Sequence, residues 1–166
     1  MICKSFKEKE RRRRAGRSAA TILDRLCSLI RPGMSTLEVD EAGGQLMKDM
    51  EVKSACKGYR SGHRVFPSYT CLSVNDEVVH GIGVEERILK DGDVISVDVC
   101  IREDGMIGDN CRTVGVGRIS PEVEKLLKVT EESLFKGMAQ ALHKNRVGDV
   151  SEAVSYTHLT LPTRIF

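Results

Sequence analysis

Tryptophan is absent from these 166 residues, the other aromatics amount to three Tyr and four Phe, and only four prolines interrupt the chain. No apolar run approaches the roughly 18 residues that a membrane span requires. The opening Met-Ile-Cys-Lys-Ser-Phe-Lys passes straight into charge, without the apolar stretch of a secretion signal. Neither sign of charge dominates: 26 Lys and Arg stand against 24 Asp and Glu, a net +2. That balance excludes a globally basic nucleic-acid binder and a strongly acidic tail protein. The six cysteines contain no Cys-x-x-Cys pair, which excludes a zinc knuckle and a dithiol redox motif, and free buried thiols are expected. What remains, 40% hydrophobic and 30% charged residues, is an ordinary one-domain globular composition, read as cytoplasmic and without membrane contact. A chain of this length buries roughly two thirds of its extended surface.

From Lys4 to Arg17 eight basic and two acidic residues lead into Ala19, Ala20, Ile22, Leu23, Leu26, Leu29 and Ile30 at helical spacing. One long amphipathic helix is predicted, ended by Arg31-Pro32-Gly33. Ser35 with Glu38 three residues on has the form of a capping box for a second helix to about Met50, with Leu37, Ala42 and Leu46 on its apolar face. Short apolar runs at Val52 to Cys56, Tyr69 to Val74, Val78 to His80 and Val94 to Ile101 then read as strands. Ser120 and Pro121 open a third helix to about His143, with Val123, Leu126, Leu127, Leu134, Met138 and Leu142 recurring at threes and fours. Gly148, Asp149 and Glu152 initiate a fourth helix, but the following Thr- and Leu-rich string has no helical period. Residues 154–166 are therefore expected to be a non-native or disordered tail resembling a translated sequencing adapter; a frayed natural terminus is the alternative.

The segment from Val94 to Gly117 carries the chemistry. Asp104-Gly105 joins two alternating runs, a strong hairpin signal. With those two as the turn, Cys100 faces Asp109 and Asp98 faces Cys111, so Asp98 and Asp109 share a face as diagonal neighbours about 7–8 Å apart. A three-residue turn or a bulge reverses that parity. Paired carboxylates on an apolar hairpin are costly unless they share a proton or a cation, and a divalent metal is the simplest resolution. Two surface aspartates on a solvated face are the bland reading. His80, before a glycine turn, is placed to present an imidazole to a cleft, although a lone histidine is more often structural or solvent-facing. His63 lies in a Gly-rich loop, His143 at a helix end and His158 in the doubtful tail.

Taken in order, Arg14-Ala-Gly-Arg17, Ile30-Arg-Pro-Gly-Met-Ser-Thr36, Ser54-Ala-Cys-Lys-Gly-Tyr59, Phe66-Pro67, Cys71 to Asn75, Val78-Val-His-Gly-Ile82, Leu89-Lys-Asp-Gly-Asp93, Val97-Asp98 and Gly108-Asp109 carry a family likeness. The chain resembles the N-terminal portion of the type I methionine aminopeptidases, within the M24 peptidases. The resemblance implies an α+β pita-bread fold, mainly antiparallel sheet packed by helices and incomplete here, over a partial metallo-aminopeptidase domain at residues 1–153. By the same resemblance, Asp98 and Asp109 are metal ligands, the latter bridging two divalent ions (Co, Mn, Fe or Zn). His80 contacts the substrate during hydrolysis, and Tyr59, Phe66 and Cys71 wall the methionine pocket. The implied substrate is the N-terminal Met of nascent polypeptides, cleaved by a monomer near the ribosome.

Two departures bear on that reading. The family's remaining ligands, one histidine and two glutamates, have no counterpart here, so this polypeptide alone is expected to hold the metals poorly, to be inactive and to be poorly soluble or partly misfolded. The stretch from Arg60 to Val65 is longer than the family's loop. A non-catalytic pita-bread module that binds protein or RNA is the alternative, and a prolidase-type peptidase a third; retention of Asp98, Asp109 and His80 favours the enzyme. The run Arg11 to Arg14 is either a ribosomal RNA contact or the solvated face of the first helix.

Overall fold

The computed structural model describes residues 5–160. Helix α1 (Phe6–Leu29) opens with Ser5 and Glu8 capping one another's backbone amides and buries Ala15, Ala19, Ile22, Leu23 and Leu26, a stripe at threes and fours. Helix α2 (Thr36–Asp49) starts on the expected Ser35/Glu38 capping box. Its buried face differs from the sequence reading: Val39, Gly43 and Met47 are inward, while Ala42 and Leu46 pack at the margin. The reason is Gly43, where an added Cβ would lie 3.0 Å from Thr70 and 3.2 Å from Leu26, so the helix turns its bare backbone to the core.

The main sheet is built around β5 (Val94–Glu103). It pairs along one edge with β6 (Met106–Gly115) and along the other with β4 (Cys71–Val74) and β1 (Lys53–Ser54) in tandem, all antiparallel. Ile95, Val97, Val99 and Ile101 are fully buried on one face of β5, where α1 lies across the β5–β6 ribbon. This is the core, closed by Leu72, Val74, Leu89 and Val116. The long stretch between Tyr59 and Phe66 forms a small hairpin of β2 (Arg60–Ser61) and β3 (Arg64–Val65) with Gly62 and His63 at its tip. Val78 to His80 is not a strand, contrary to the sequence reading, and all three residues are exposed. An apolar run alone does not distinguish a strand from a loop that another segment's backbone holds in place.

Residues 119–160 form a separate unit, a helical pair. Helix α3 (Pro121–Gln140) begins at Ser120 and Pro121 as expected and stops three residues before His143. Its partner α4 (Val147–Thr160) overturns the expectation that no helix follows: it continues past Val154, and residues 161–166 lie outside the described residues. Asp149 accepts from the Arg146 amide at 2.7 Å, so the helix begins a turn earlier than the sequence reading placed it. The two helices meet through Val129, Ser133 and Gly137. An added Cβ on Gly137 would lie 2.7 Å from Val154, and this small face, rather than the Leu126–Leu134–Met138 stripe, is the buried one. Leu134 and Met138 stay 55% and 60% exposed.

Candidate metal centre

The turn at Asp104 (φ 46°) and Gly105 (φ 72°) has positive φ at both central residues, the conformation whose twist suits a two-residue hairpin. The register follows as expected: Cys100 opposes Asp109 and Asp98 opposes Cys111. On the other edge Asp98 opposes Cys71. Opposed residues share a face, so Asp98, Asp109, Cys71, Cys100 and Cys111 all project from the side of the sheet away from α1. Packing enforces the parity. Gly108 is pressed so close to α1 that an added Cβ would sit 2.1 Å from the Ala15 carbonyl oxygen, and Asn110 donates to the Gly16 carbonyl at 3.2 Å. Asp109, between them, is therefore turned to the opposite side.

The electrostatics of this face are unfavourable as it stands. Burial, then the Asp109 charge and a shared hydrogen bond with Asp109, pushes the Asp98 carboxyl up to about 6, with His80 pulling the other way. Asp98 Oδ1 is buried and has no hydrogen-bond partner. An orphaned carboxylate oxygen beside a second carboxylate is a cation's coordination sphere in part. The neighbouring thiols feel the same carboxylates: burial and the Asp109 charge push Cys100 up to about 12, and burial and the Asp98 charge push Cys111 up to about 11.

His80 reaches this face from a loop. It adopts φ 60°, a left-handed conformation that is strained for a residue with a side chain. The following Gly81 permits it: Leu72 N–H donates to the Gly81 carbonyl at 2.8 Å, Gly81 N–H donates to Ser73 Oγ at 3.2 Å, and a Cβ there would lie 2.1 Å from the Leu72 oxygen. The loop thus lies along β4 as an irregular extra edge, fixing an exposed imidazole within electrostatic range of Asp98.

Cys71 lies at the carboxylates, whereas Tyr59 and Phe66 flank the β2–β3 hairpin, their backbones joined by Phe66 N–H to the Tyr59 carbonyl at 2.8 Å. Tyr59 is 65% exposed. A cavity of about 800 Å³ between α2 and the loop before β4 is lined by residues such as Asp40, Lys57, Ser68 and Tyr69, and by none of Tyr59, Phe66 or Cys71. The described cysteines are free as expected, but only Cys71 is buried and Cys111 is exposed. A strand's alternate residues reach solvent wherever no second layer covers them.

One group escaped the sequence reading. Asp40, buried in α2, accepts from the Tyr69 amide at 3.0 Å and from the Thr70 amide and hydroxyl, each at 2.8 Å. It organises the entry to β4 and hence the position of Cys71; a lone acid on the inward face of an amphipathic helix was the available signal. Cys100 and Cys111 stand opposite the carboxylates as the expected register has them, and Cys71 joins them through β4.

A cation fits the Asp98–Asp109 pair by its chemistry, yet among the described residues no group of three or more His, Cys, Asp or Glu is arranged to hold one. The chain belongs to metallopeptidase family M24, whose pattern matches residues 10–157. It is 41% identical over 154 residues to methionine aminopeptidase 1 of Bacillus subtilis, covering 93% of this chain and 60% of that protein. Methionine aminopeptidase B of Synechocystis is 37% identical over 155 residues, with 57% of its length covered. The methionine aminopeptidase structure from Thermotoga maritima superposes with TM-score 0.85 at 36% identity, over 95% of this chain and 62% of that one. Aminopeptidase P of Escherichia coli, at 20% identity and TM-score 0.78, shares the pita-bread fold. The chain thus spans about three fifths of the length of the relatives it matches. No helix among the described residues is long and apolar enough to cross a membrane.

Proposed function

We propose that this chain supplies part of the active site of a methionine aminopeptidase, an enzyme that removes the N-terminal Met of nascent proteins in the cytoplasm. The observation that carries the reading is the buried, unpartnered Asp98 Oδ1 beside a second carboxylate. In this reading Asp98 and Asp109 would hold divalent metal ions, drawn from Co, Mn, Fe or Zn. Such ions supply Lewis acidity and lower the pKa of a bound water. His80, fixed by its strained loop, faces the substrate peptide group and positions or protonates it. Cys71 forms one wall beside the reacting bond, and Tyr59 and Phe66 form the outer rim of the methionine site. Residues 1–153 constitute the metallo-aminopeptidase portion, and two carboxylates without further ligands hold metal weakly, so catalysis by this chain alone is not expected.

The ribosomal reading of the basic run is less supported. Arg11 and Arg14 both bond Asp104 at the hairpin tip, Arg14 also pairs with Glu103 at 2.9 Å, and Arg13 pairs with Glu10. Those side chains are engaged in the solvated α1 face.

The test is a chimera in which this chain is continued by the remaining C-terminal part of the Bacillus subtilis relative, assayed with Mn for release of Met from a Met-Ala peptide. Turnover is expected, and Asp98→Asn and Asp109→Asn should each reduce it by more than the roughly 10–100-fold that loss of a ligand's supporting partner costs. A folded, metal-loaded chimera that releases no Met overturns the proposal. Monomeric behaviour of the active chimera in sedimentation is part of the same expectation.

A further inference from the structure

Four thiols surround the carboxylate face, and the proposed hydrolysis uses at most one of them, as a wall. Their placement is set by topology. β4 and β1 occupy the same edge of β5 end to end: β4 pairs with Ile95 to Asp98, and β1 with Ile101 and Arg102. The segment leaving β1 continues towards the gap, since Ala55 N–H donates to the Cys100 carbonyl at 2.8 Å. Cys56 comes next in the chain, while Cys71 begins β4 opposite Asp98. The two cysteines therefore converge at the junction where the tandem strands abut. Ser54 holds them there: its hydroxyl donates to the Tyr69 carbonyl at 2.7 Å and accepts from the Cys56 and Lys57 amides at 3.1 and 3.0 Å, tying the turn that carries Cys56 to the residues just before Cys71.

We propose that Cys56 and Cys71 form a redox-active pair that closes to a reversible disulfide on reaction with a hydroperoxide, a modification site at the rim of the carboxylate face. In support, each thiol is the largest single influence on the other's ionisation, raising that of Cys56 and lowering that of Cys71. Cys56 is half-exposed, which gives a small peroxide access to a pair whose other member is buried. The chemistry balances without a further reactant. The O–O bond of the peroxide breaks, and the first thiol becomes a sulfenic acid with release of one water, or of an alcohol from an organic peroxide. The second sulfur then attacks it, forming the S–S bond and releasing a water, and a dithiol reductant reverses both electrons. Closure tethers the turn after β1 to the first residue of β4, next to Asp98. The pair shares Cys71 with the aminopeptidase reading, but its test reads the S–S link and not Met release, so the two fail separately.

The experiment uses the full chain, treated with equimolar hydrogen peroxide, alkylated and digested with trypsin, which cuts after Lys57, Arg60 and Arg64 between the two cysteines. The expected product is one linked species joining the Cys56 and Cys71 peptides, lighter than their sum by two hydrogens and separated again by dithiothreitol. Cys100→Ser and Cys111→Ser should retain the link and Cys56→Ser should abolish it. Should Cys56→Ser fail to fold, the wild-type linkage map with the other two variants decides alone. A link from either sulfur to Cys100 or Cys111, accumulation of sulfinic acid on Cys56 or Cys71, or both thiols remaining alkylatable while other cysteines oxidise would each overturn the pair.

Discussion

The two faces of β5 obey opposite rules. On the face towards α1, Ile95, Val97, Val99 and Ile101 are sealed completely. On the other, Ser96, Asp98 and Cys100 are half-buried and carry a carboxylate whose orphaned oxygen costs stability. One strand of ten residues thus holds the fold together with its odd-numbered positions and exposes its chemistry with the even ones. Against the burden on the second face stand four sealed apolar side chains on the first, with Glu103 at the strand's end paired to Arg14 of α1.

The comparison breaks most violently if the two faces are exchanged in kind. Val97→Asp places an unpaired charge at a fully buried site, a cost of several kcal/mol against a total stability of about 5–15, and the chain should fail to fold by circular dichroism. Ser96→Asp, one residue away on the other face, should remain folded. Next in size is Gly108→Ala, which drives a methyl into the Ala15 carbonyl and pushes α1 off the ribbon. Overpacking of this kind costs about 1–3 kcal/mol or more, and urea midpoints should fall accordingly.

Asp98→Asn should act in the opposite direction, stabilising the metal-free protein. The Asp98 carboxyl, raised to about 6 in the fold, retains a proton that the unfolded chain, with an ordinary value near 3.9, has already released. Its contribution is therefore intact below about pH 4 and is lost as the pH rises through about 6. Thermal melts of wild type and variant should separate progressively over that interval; parallel curves would show that the second face carries no such burden. The smallest effect concerns neither face directly: Ser35→Ala removes the cap of α2 and should cost about 1 kcal/mol, with β5 unaffected.

Much of this was legible beforehand wherever the determinant was local. The capping box of Ser35 and Glu38, the proline at Pro121 and the Asp-Gly turn each act within a few residues, and the turn indicated in advance which aspartates share a face. What the sequence reading missed was tertiary. Val78 to His80 has a strand's composition, but its geometry comes from the contact of Gly81 with Leu72, nine residues earlier in the chain. The buried face of α2 was shifted by Gly43, which offers nothing to a hydrophobic count but admits Thr70. In α3 the large apolar residues point outward while Gly137 lies against Val154. Helix α4 persists through a string without helical period because its neighbour supplies the packing.

The tip of the β5–β6 hairpin is the kind of exposed turn at which chains ordinarily gain and lose residues freely. Here such freedom is forfeited. Because side chains alternate, adding or deleting a single residue at Asp104-Gly105 would shift the pairing by one and carry Asp109 onto the helix side while leaving a hairpin intact. The length of this turn is therefore as much a part of the carboxylate face as the aspartates themselves: its residues can be exchanged for others that accept positive φ, but their number cannot change.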